Sequence, residues 1–521
     1  MLSEIRELVV LRQRRENIVI EKKGRPSDIK VGILMPIPYS AAVSSLFFQM
    51  AYTYVNSLEG AVAYRYVFNL EEKRVEALDK GVNPKKLDVI LISLPFELDY
   101  VTTAYILANL NLLKRVKGAE KPVIVAGGIA PTANPLPLSD IVDAVAIGEA
   151  EEMLENLVYL AGEPNAFKVI GGLSCISVPP FSEVKRKCFV KDLSKTPHPV
   201  HQFYSYEEEP VYGYGVRVEV SRGCPYLCAF CMESHVMYPF RAREIAVVER
   251  IIEKGVEFLK VPRAILYSLS LFSVPNIDML LQKLLKQGIE VSIPSIRVDQ
   301  VTKERLEIIR ALGQKTLTIA PETLLPTYGC KIGKCYSMDN LMEVLSQVHK
   351  IGFTHVKLYL ITGFPEVSID EELKYFEKFV LSLRSIRKKG FVEITLNPLV
   401  PKPWTPFQFL PPASVLRSRN VLEQYRRISR GSSVKLSTLD YEWAFAQAVI
   451  ALGNESTSKL VIDWALNGLG LKGFRKALQM ASEEVKGYLK NGWGDPPWYR
   501  CVDLGVPKLY LDLRARYLKA L

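Results

Sequence analysis

Three closely spaced cysteines are the clearest chemical feature of this 521-residue sequence. Cys224, Cys228 and Cys231 lie in the stretch Ser221–Cys231, which reads SRGCPYLCAFC. Three thiolates at CxxxCxxC spacing can bind three irons of a [4Fe-4S] cluster and leave the fourth iron without a protein ligand. A zinc site is the alternative, but it usually needs four ligands in paired spacing, and His235 is the only nearby fourth candidate. The spacing therefore predicts an iron–sulfur cluster.

An iron with a free coordination position indicates a cofactor that can chelate it. S-adenosylmethionine (SAM) has an amino and a carboxylate group for this purpose, and one electron from the cluster cleaves its sulfonium to give a 5′-deoxyadenosyl radical that removes hydrogen from unactivated carbon. The strand predicted at Val216–Val220 and the aromatic Phe230 agree with this chemistry. An iron–sulfur electron carrier is the alternative from another functional class, and it needs no cofactor pocket.

The cysteine loop resembles the signature of the radical SAM superfamily, in which the aromatic residue before the last cysteine contacts the adenine of the cofactor. The resemblance assigns this role to Phe230. The stretch Leu360–Ser368, LITGFPEVS, resembles the glycine-containing strand end that receives the adenine. Thr362 and Gly363 are its cofactor-binding candidates, because a small residue lets the backbone approach a flat ring closely.

Two further segments bear on the cofactor. Thr318–Glu322, TIAPE, resembles a strand-end motif of the same superfamily whose carboxylate reaches the cofactor, which assigns that role to Glu322. The superfamily's Gly-Gly-Glu element is not visible around Tyr267–Phe272. The group that binds the amino end of the cofactor is therefore unidentified, with Ser268 and Ser270 as weak candidates.

A closer resemblance is to radical SAM enzymes with an N-terminal cobalamin-binding-type domain, and it covers about residues 30–515. The segments that carry it are Pro36–Ser40, Ser93–Tyr100, Gly127–Pro135, Asp143–Glu152, Asn397–Gln408 and Pro496–Gly505. If cobalamin binds, we expect Gly127, Gly128 and Pro95 to line its site. No histidine precedes His198 and the DxHxxG pattern is absent, so this domain cannot supply an imidazole to cobalt. Either cobalamin binds without that ligand, or the domain has lost it and is a lid or a substrate platform.

Strands and helices alternate in the N-terminal part of the chain. Lys30–Met35, Asp88–Ser93 and Pro122–Ala126 are apolar runs of strand length, and Ala41–Leu58 has the pattern of an amphipathic helix. Short buried strands separated by helices predict a doubly wound parallel sheet. Ligands of such sheets bind beyond the carboxyl ends of the strands.

A second alternation begins at Val216 and predicts a partial (β/α)6 radical SAM barrel, with its chemistry at the carboxyl ends of the strands. The predicted strands are Val216–Val220, Ala264–Leu269, Glu290–Ile293, Thr316–Ile319, His355–Ile361 and Val392–Leu396. The predicted helices are Val301–Leu312, Met338–Ile351 and Ile369–Lys389, followed by Ser414–Ser429 and Tyr441–Leu452 in a helical C-terminal region.

These patterns divide the chain into five parts. We expect an N-terminal extension at 1–30, the cobalamin-binding-like domain at 31–164, a proline-bearing connector at 165–213, the radical SAM core at 214–410 and the helical region at 411–521.

Composition limits the class of protein. A hydrophobic content of 48% with 24% charged residues is typical of globular domains, and eight cysteines are too few for a disulfide scaffold. No apolar run reaches the roughly 18 residues of a membrane span, and no secretory signal is visible. We therefore expect a soluble, cytoplasmic protein. The net charge of +11 would suit an anionic partner, but Lys and Arg are spread along the chain, as on a generally basic surface.

The predicted function is radical C–H activation for methylation or C–C bond formation on an aliphatic substrate, such as a lipid. Modification of tRNA is the alternative enzyme function, and the positive charge would suit it. The C-terminal RNA-binding barrel of methylthiotransferases is not evident, however. The chemistry requires an external one-electron reductant as a partner.

Cys330 and Cys335 form a second cysteine pair, in the segment Tyr328–Tyr336 shortly after Glu322. Loops after strands gather at the catalytic mouth of a barrel, so we expect the pair there. It could ligate an auxiliary cluster, form a redox disulfide, or donate a hydrogen atom to a substrate radical; packing as two small hydrophobes is equally compatible. Among the functional roles we favour the hydrogen donor, because an S–H bond is weak enough for a carbon radical to take its hydrogen.

Overall fold

The computed structural model describes residues 9–17, 22–80, 82–113, 121–383, 391–432 and 434–520. Its first sheet has eight strands: β1 (Val9–Leu11), β2 (Ile29–Met35), β3 (Ala61–Asn69), β4 (Arg74–Ala77), β5 (Val89–Ser93), β6 (Val123–Gly127), β7 (Ala144–Ala146) and β8 (Ile176–Ser177). The spatial order is β1-β4-β3-β2-β5-β6-β7-β8, in which the central strands β3, β2, β5, β6 and β7 are parallel. The predicted doubly wound sheet is confirmed.

Helices cover both faces of this sheet. They are α1 (Tyr39–Ala42), α2 (Leu46–Ser57), α3 (Asp99–Asn109), α4 (Ile129–Ala133), α5 (Leu154–Ala161) and α6 (Ala166–Gly171). Alternate residues of β5 enter different cores, since Val89 and Leu91 pack with α2 and α5 while Ile90 and Ile92 pack with α3. The single helix predicted at Ala41–Leu58 is two helices, because Ser45 caps α2 by accepting a hydrogen bond from the Phe48 N–H.

The second α/β unit is an open barrel of seven parallel strands. These are β10 (Val216–Glu219), β13 (Arg263–Tyr267), β14 (Glu290–Ser292), β15 (Thr316–Glu322), β16 (His355–Thr362), β17 (Val392–Pro398) and β18 (Val434–Thr438). A bridge between Ile296 and Ile319 joins the first three strands to the last four. The six predicted barrel strands are confirmed, and β18 is an additional strand. Short pairs lie outside the barrel: β11 (Ser221–Arg222) with β12 (Arg241–Ala242), and β9 (Lys185–Arg186) with β19 (Val502–Asp503).

The remaining helices surround the barrel and form the C-terminal region. They are α7 (Met232–Val236), α8 (Ile245–Leu259), α9 (Ile277–Lys286), α10 (Lys303–Ala311), α11 (Pro326–Ile332), α12 (Met338–Ile351), α13 (Ile369–Ser382), α14 (Val421–Ser429), α15 (Tyr441–Ala451), α16 (Ser456–Leu466), α17 (Leu471–Gln479), α18 (Glu483–Asn491) and α19 (Lys508–Tyr517). Most of the predicted helix Ile369–Lys389 is present, but its last residues lie outside the described ranges.

The C-terminal helices pack against the first sheet and hold it to the barrel. Side chains of α15 to α18 share one apolar core with α3 and β5. Asn134, after α4, donates to the carbonyls of Ala451 and Gly453 at 3.0 and 2.7 Å, and the Trp404 indole donates to the Ala133 carbonyl at 2.9 Å. Within the described residues, no helix is long and apolar enough to cross a membrane.

Candidate active site

The three-cysteine loop follows β10 at the carboxyl end of the barrel strands. Cys224 and Cys228 are buried and Cys231 is partly buried, just before α7. The loop turns at Gly223, whose φ of +79° and tight surroundings require glycine, because an added Cβ would lie 2.6 Å from the Met237 carbonyl oxygen. Strand β10 thus delivers three thiols to the mouth of the barrel.

A guanidinium lies beside one of these thiols. Arg297 places Nη1 3.6 Å from the Cys228 Sγ and donates from Nη2 to the Gly333 carbonyl at 2.9 Å. It stacks over the Tyr226 ring at 3.6 Å and forms an ion pair with Asp299 at 2.9 Å. The positive charge is therefore held in one place by contacts on three sides.

The thiols fit iron ligation. Burial raises the pKa of Cys224 and Cys228, opposed by the positive charges of Arg297 and Lys334, and burial raises the pKa of Cys231 to about 12. A bound metal offsets this cost, because a coordinating thiol is deprotonated. Among the described residues, no three His, Cys, Asp or Glu side chains surround a single point. The ligands of a [4Fe-4S] cluster do not have to converge on a single point, since each cysteine binds a different iron.

Glu322 ends β15 close to this loop. Its side chain is almost fully buried, its φ is +66°, and the strand is irregular between Ile319 and Glu322. Lys334 lies 3.3 Å from its carboxylate and also donates to the Ala320 carbonyl at 3.0 Å. Burial raises the pKa of Glu322, and the charge of Lys334 opposes the rise. The irregular strand end thus places a buried carboxylate beside Lys334 and close enough to Cys228 for its charge to act on that thiol.

The turn after β16 has a fixed conformation. Glu372 of α13 accepts hydrogen bonds from the Thr362 hydroxyl, from the Gly363 N–H at 3.0 Å and from the Tyr425 hydroxyl at 3.1 Å. Gly363 has a φ of +86°, and an added Cβ would lie 2.6 Å from the Ser418 hydroxyl oxygen. Glycine is therefore required here by the turn itself, and the buried carboxylate of Glu372 keeps it in place.

The structure brings Phe230 close to this turn. Phe230 packs against one apolar cluster that contains Leu325, Tyr328 and Phe364, and Phe364 directly follows Gly363. The serine candidates differ, since Ser268 hydrogen-bonds to Ser221 at 2.7 Å beside the cysteine loop, whereas Ser270 bonds to Ser273. Ser268 is the better placed of the two.

Gly127 and Gly128 lie at the end of β6, where a cavity of about 290 Å³ opens. Gly128 has a φ of +119°, and an added Cβ would lie 2.6 Å from the Leu94 carbonyl oxygen, so the two strand ends are in contact. The cavity extends alongside the sheet between α2 and α5. Its lining is mostly apolar and includes Met50, Leu91, Val125, Leu154 and Leu157, together with charged side chains such as Glu149, Lys187 and Arg222.

A second cavity, of about 1270 Å³, fills the interior of the barrel and reaches the ends of the first sheet. Ser93, Pro95 and Gly128 line it from the first sheet, and Ser221, Ser268, Thr318, Lys357 and Tyr359 line it from the barrel. Both cavities share Gly128, Glu219 and Arg222. The carboxyl ends of both sets of strands therefore face one continuous space.

His198 lines the smaller cavity, but both of its ring nitrogens are engaged. Its Nδ1 is 3.2 Å from the Pro199 carbonyl oxygen, and its Nε2 accepts the Glu219 N–H at 3.2 Å. Burial lowers the pKa of His198 to about 3, which keeps the ring neutral. The imidazole therefore has no free lone pair for a metal in this cavity.

Cys330 and Cys335 are joined by a disulfide, and both are exposed. Neither lines the two cavities described above. The sequence predicts the pair at the catalytic mouth of the barrel, but the structure places both residues at the exposed surface, Cys330 near the end of α11 and Cys335 just after it. A bonded pair also has no S–H, so the hydrogen-donor hypothesis requires the reduced form. Cys175 and Cys188 are also paired, which the sequence did not predict.

A buried ion-pair network that sequence reasoning missed joins the two α/β units. Arg222, two residues before Cys224, binds Glu149, Glu151 and Glu219 at 2.7 to 2.8 Å. Arg241 also binds Glu149 at 2.8 Å. The segment Asp143–Glu152 resembles the family, but its sequence alone indicates no role. In the structure, its glutamates pair with Arg222 and so connect the first sheet to the start of the cysteine loop.

Family comparisons agree with this geometry. Residues 48–168 match the family described as radical SAM proteins, N-terminal, and residues 218–399 match the radical SAM superfamily. An uncharacterized protein of Methanocaldococcus jannaschii is 29% identical over 388 residues, which are 74% of this chain and 82% of that protein. An uncharacterized methyltransferase of Pyrococcus horikoshii is 26% identical over 290 residues, 52% of this chain and 59% of the relative.

Solved structures with low similarity include the radical SAM methyltransferase TsrM of Kitasatospora setae with cobalamin and a [4Fe-4S] cluster. It is 14% identical with a TM-score of 0.48, over 71% of this chain and 72% of that one. The cobalamin-dependent radical SAM enzyme OxsB is 14% identical with a TM-score of 0.45, over 89% and 70%. The two family matches, with the cysteine loop inside the second, identify the chain as a radical S-adenosylmethionine enzyme.

Proposed function

We propose that this enzyme methylates, or forms a C–C bond at, an unactivated aliphatic carbon, with cobalamin held between the first sheet and the barrel. The observation that carries the proposal is the continuous space between the carboxyl ends of both sets of strands. Ligands of both fold types bind at these ends. The name of the Pyrococcus horikoshii relative, a methyltransferase, supports methyl transfer.

The cluster would be held by Cys224, Cys228 and Cys231, and SAM by Phe230, Glu322 and the turn at Thr362 and Gly363. When bound, these cofactors supply a carbon-centred radical that removes hydrogen from the substrate. Arg297 and Lys334 place positive charge beside the thiolates. Glu372 fixes the backbone at Gly363.

The size and the lining of the two cavities support cobalamin binding. The smaller one has a mostly apolar lining beside the sheet, which suits the flat aromatic base at the end of the cobalamin tail. The larger one has room for a ring system next to the cysteine loop. Because no histidine precedes His198 in the sequence and both nitrogens of His198 are engaged, we propose that the first domain supplies no imidazole to cobalt.

The test places a larger side chain at Gly127, which lines the smaller cavity. Gly127 does not have a positive φ, and an added Cβ would make an ordinary 3.4 Å contact with the Ala146 Cβ, so Gly127→Leu is expected to fold and to occupy part of the cavity. We expect it to weaken hydroxocobalamin binding by about tenfold or more in an absorbance titration, because the base loses its space. Gly494→Leu is the matched control, since an added Cβ there meets nothing within 4 Å.

Two results would contradict the cobalamin part of the proposal. One is a wild-type protein that binds no cobalamin, which would favour a lid role for the first domain. The other is nitrogen hyperfine coupling from a protein histidine in the electron paramagnetic resonance (EPR) spectrum of the cobalt(II) form.

Profiling lipids and nucleosides in a deletion strain tests the substrate class. Loss of a modified lipid supports the proposal, and loss of a modified nucleoside supports the tRNA alternative.

A further inference from the structure

A thin cover separates the cysteine loop from the outer surface. The Ala229 N–H, within the loop, donates to the Ile332 carbonyl at 3.0 Å, which fixes the loop to the segment after α11. Arg514 of α19 in turn donates to the Lys331 carbonyl at 2.7 Å. Ala515 of α19, with Leu518 and Ala520 just after the helix, shares an apolar cluster with Ala229 and Ile332. One chain segment and one helix therefore cover the loop.

At Gly333 the segment that covers the loop has no side chain. A Cβ added there would lie 3.4 Å from the Cys228 Sγ, so the glycine backbone is directly against the thiol. On either side of this backbone, the disulfide between Cys330 and Cys335 is exposed to solvent. A single backbone segment thus lies between a cluster ligand and the outside of the molecule.

The helix of the cover presents an apolar stripe to solvent. Leu509, Leu513 and Tyr517 are 68%, 58% and 54% exposed. They are spaced four residues apart along α19, so they lie on one face of the helix. Exposed large apolar side chains that form a contiguous group on a surface indicate an interaction site.

Positive charges surround this stripe. The cations of α19 and its immediate neighbours are Lys331, Lys508, Arg514, Arg516 and Lys519. The nearby anions are Asp512, Asp495 beside the Tyr499 ring that Lys508 overlies, and Glu366, which is already paired with Lys331 at 3.2 Å and with Lys519 at 2.8 Å. The surface therefore has an excess of positive charge and is complementary to an acidic partner.

We propose that this surface, α19 with the segment Cys330–Cys335, is the docking site of a small acidic protein that delivers single electrons to the cluster. The inference rests on the proposed function, because radical SAM chemistry needs one electron from outside for each cleavage. The carrier is oxidised by one electron and the cluster is reduced by one electron. Electron transfer becomes steeply slower with distance, so the carrier must dock where the cover over the cysteines is thin.

The character of the surface fits this partner. An apolar centre with a charged rim is the usual anatomy of a protein–protein interface. Complexes between redox partners are small and transient, and complementary charge mainly accelerates their association. The exposed apolar face of α19, with the basic residues around it, has the size and charge expected for such a transient redox complex.

The experiment reverses charge at two exposed positions of the rim. Lys508→Glu with Arg516→Glu changes the charge of the docking site, and Arg250→Glu with Lys254→Glu on α8 is a control with the same charge change. Binding of flavodoxin and of a low-potential ferredoxin is measured anaerobically by isothermal titration calorimetry at two salt concentrations. We expect about tenfold weaker binding for the first double variant only, and weaker binding of wild type at high salt.

Cleavage assays separate this inference from the proposed function. Dithionite needs no docking site, so both double variants should form 5′-deoxyadenosine at the wild-type rate with it. With the reduced carrier protein as the electron source, the α19 double variant should form 5′-deoxyadenosine more slowly than wild type. A wild type that forms none with dithionite contradicts the proposed function instead. The docking inference is overturned if the α19 variant binds both carriers as tightly as wild type. It is also overturned if wild type binds neither carrier but sediments with phosphatidylglycerol vesicles or forms a dimer.

Discussion

Arg297 and Lys334 are the two cations whose charges act on the thiols of the proposed cluster, and Arg297 is in contact with one of these thiols. Its guanidinium is 3.6 Å from the Cys228 Sγ and is largely buried, where charge interactions are screened less than at a surface. The reduced cluster has one more negative charge than the oxidised one. A fixed cation therefore stabilises the reduced state more than the oxidised state.

Replacing this cation tests its role. We expect Arg297→Gln to make the reduction potential of the cluster more negative, by an amount on the order of tens of millivolts, because the reduced state loses a favourable charge interaction. Arg297→Lys keeps the charge and should shift the potential less. An EPR-monitored redox titration of both variants measures the effect. An unchanged potential in Arg297→Gln would show that Asp299 already neutralises the guanidinium.

The hydrogen-donor hypothesis for Cys330 and Cys335 also belongs at the residue scale. It needs the disulfide to be reduced, because only a thiol has an S–H to donate, and it needs the substrate radical to reach a thiol that is exposed and lies outside both cavities. For the reduced enzyme it predicts that Cys330→Ala or Cys335→Ala still forms 5′-deoxyadenosine but loses the substrate-derived product. Product and 5′-deoxyadenosine are quantified in the same reaction by liquid chromatography. Normal product from both variants would leave the pair with a structural role beside Gly333.

At the scale of elements, the contact between the N-terminal segment 143–152 and β11 positions the cysteine loop. Glu149 accepts from Arg241 at 2.8 Å and lies 2.8 Å from Arg222, so both guanidiniums depend on one carboxylate. Burial by itself would raise the pKa of Glu149, but the hydrogen bond from Arg241 and the charge of Arg222 hold it below its ordinary value. The network thus stabilises the folded state with the carboxylate ionised.

Glu149→Gln should destabilise the protein by about 1–3 kcal/mol at pH 7, because it removes one partner from a buried ion-pair network. Since the folded pKa is depressed, the contribution is present above the unfolded pKa and is lost as the pH falls through the folded pKa. The difference between wild type and variant should therefore shrink below about pH 4. Urea unfolding across pH measures it, with the exposed Glu152→Gln as control. A difference that stays constant with pH would contradict the ionised network.

Sequence patterns predicted continuously apolar strands better than strands that contain charged or polar residues. Runs such as Val89–Ser93 were predicted correctly because buried parallel strands are continuously apolar. Strand β18 was missed because Lys435 and Ser437 interrupt its apolar pattern on an edge of the barrel. Strand β3 was missed as well, since Arg65 lies in its middle and is neutralised by Asp79 and Glu16, which are distant in the chain.

At the scale of the whole molecule, two ligand-binding edges face one space. Each edge could be predicted from its own strands, because both fold types bind ligands at the carboxyl ends. That the edges face each other depends on contacts far apart in sequence, such as the Tyr267 hydroxyl donating to the Ser44 carbonyl at 2.8 Å. Local sequence patterns contain no information on such contacts. The space between the two sets of strand ends could therefore only be found in three dimensions.

The most direct test of the central claim is the EPR spectrum of the reduced, anaerobically reconstituted protein with and without SAM. The account predicts a [4Fe-4S] signal in wild type that changes when SAM is added, together with formation of 5′-deoxyadenosine. In the Cys224→Ala, Cys228→Ala and Cys231→Ala variants, both the signal and the product should be absent. A wild-type signal that SAM leaves unchanged, or undiminished cleavage in any of the three variants, would contradict the claim.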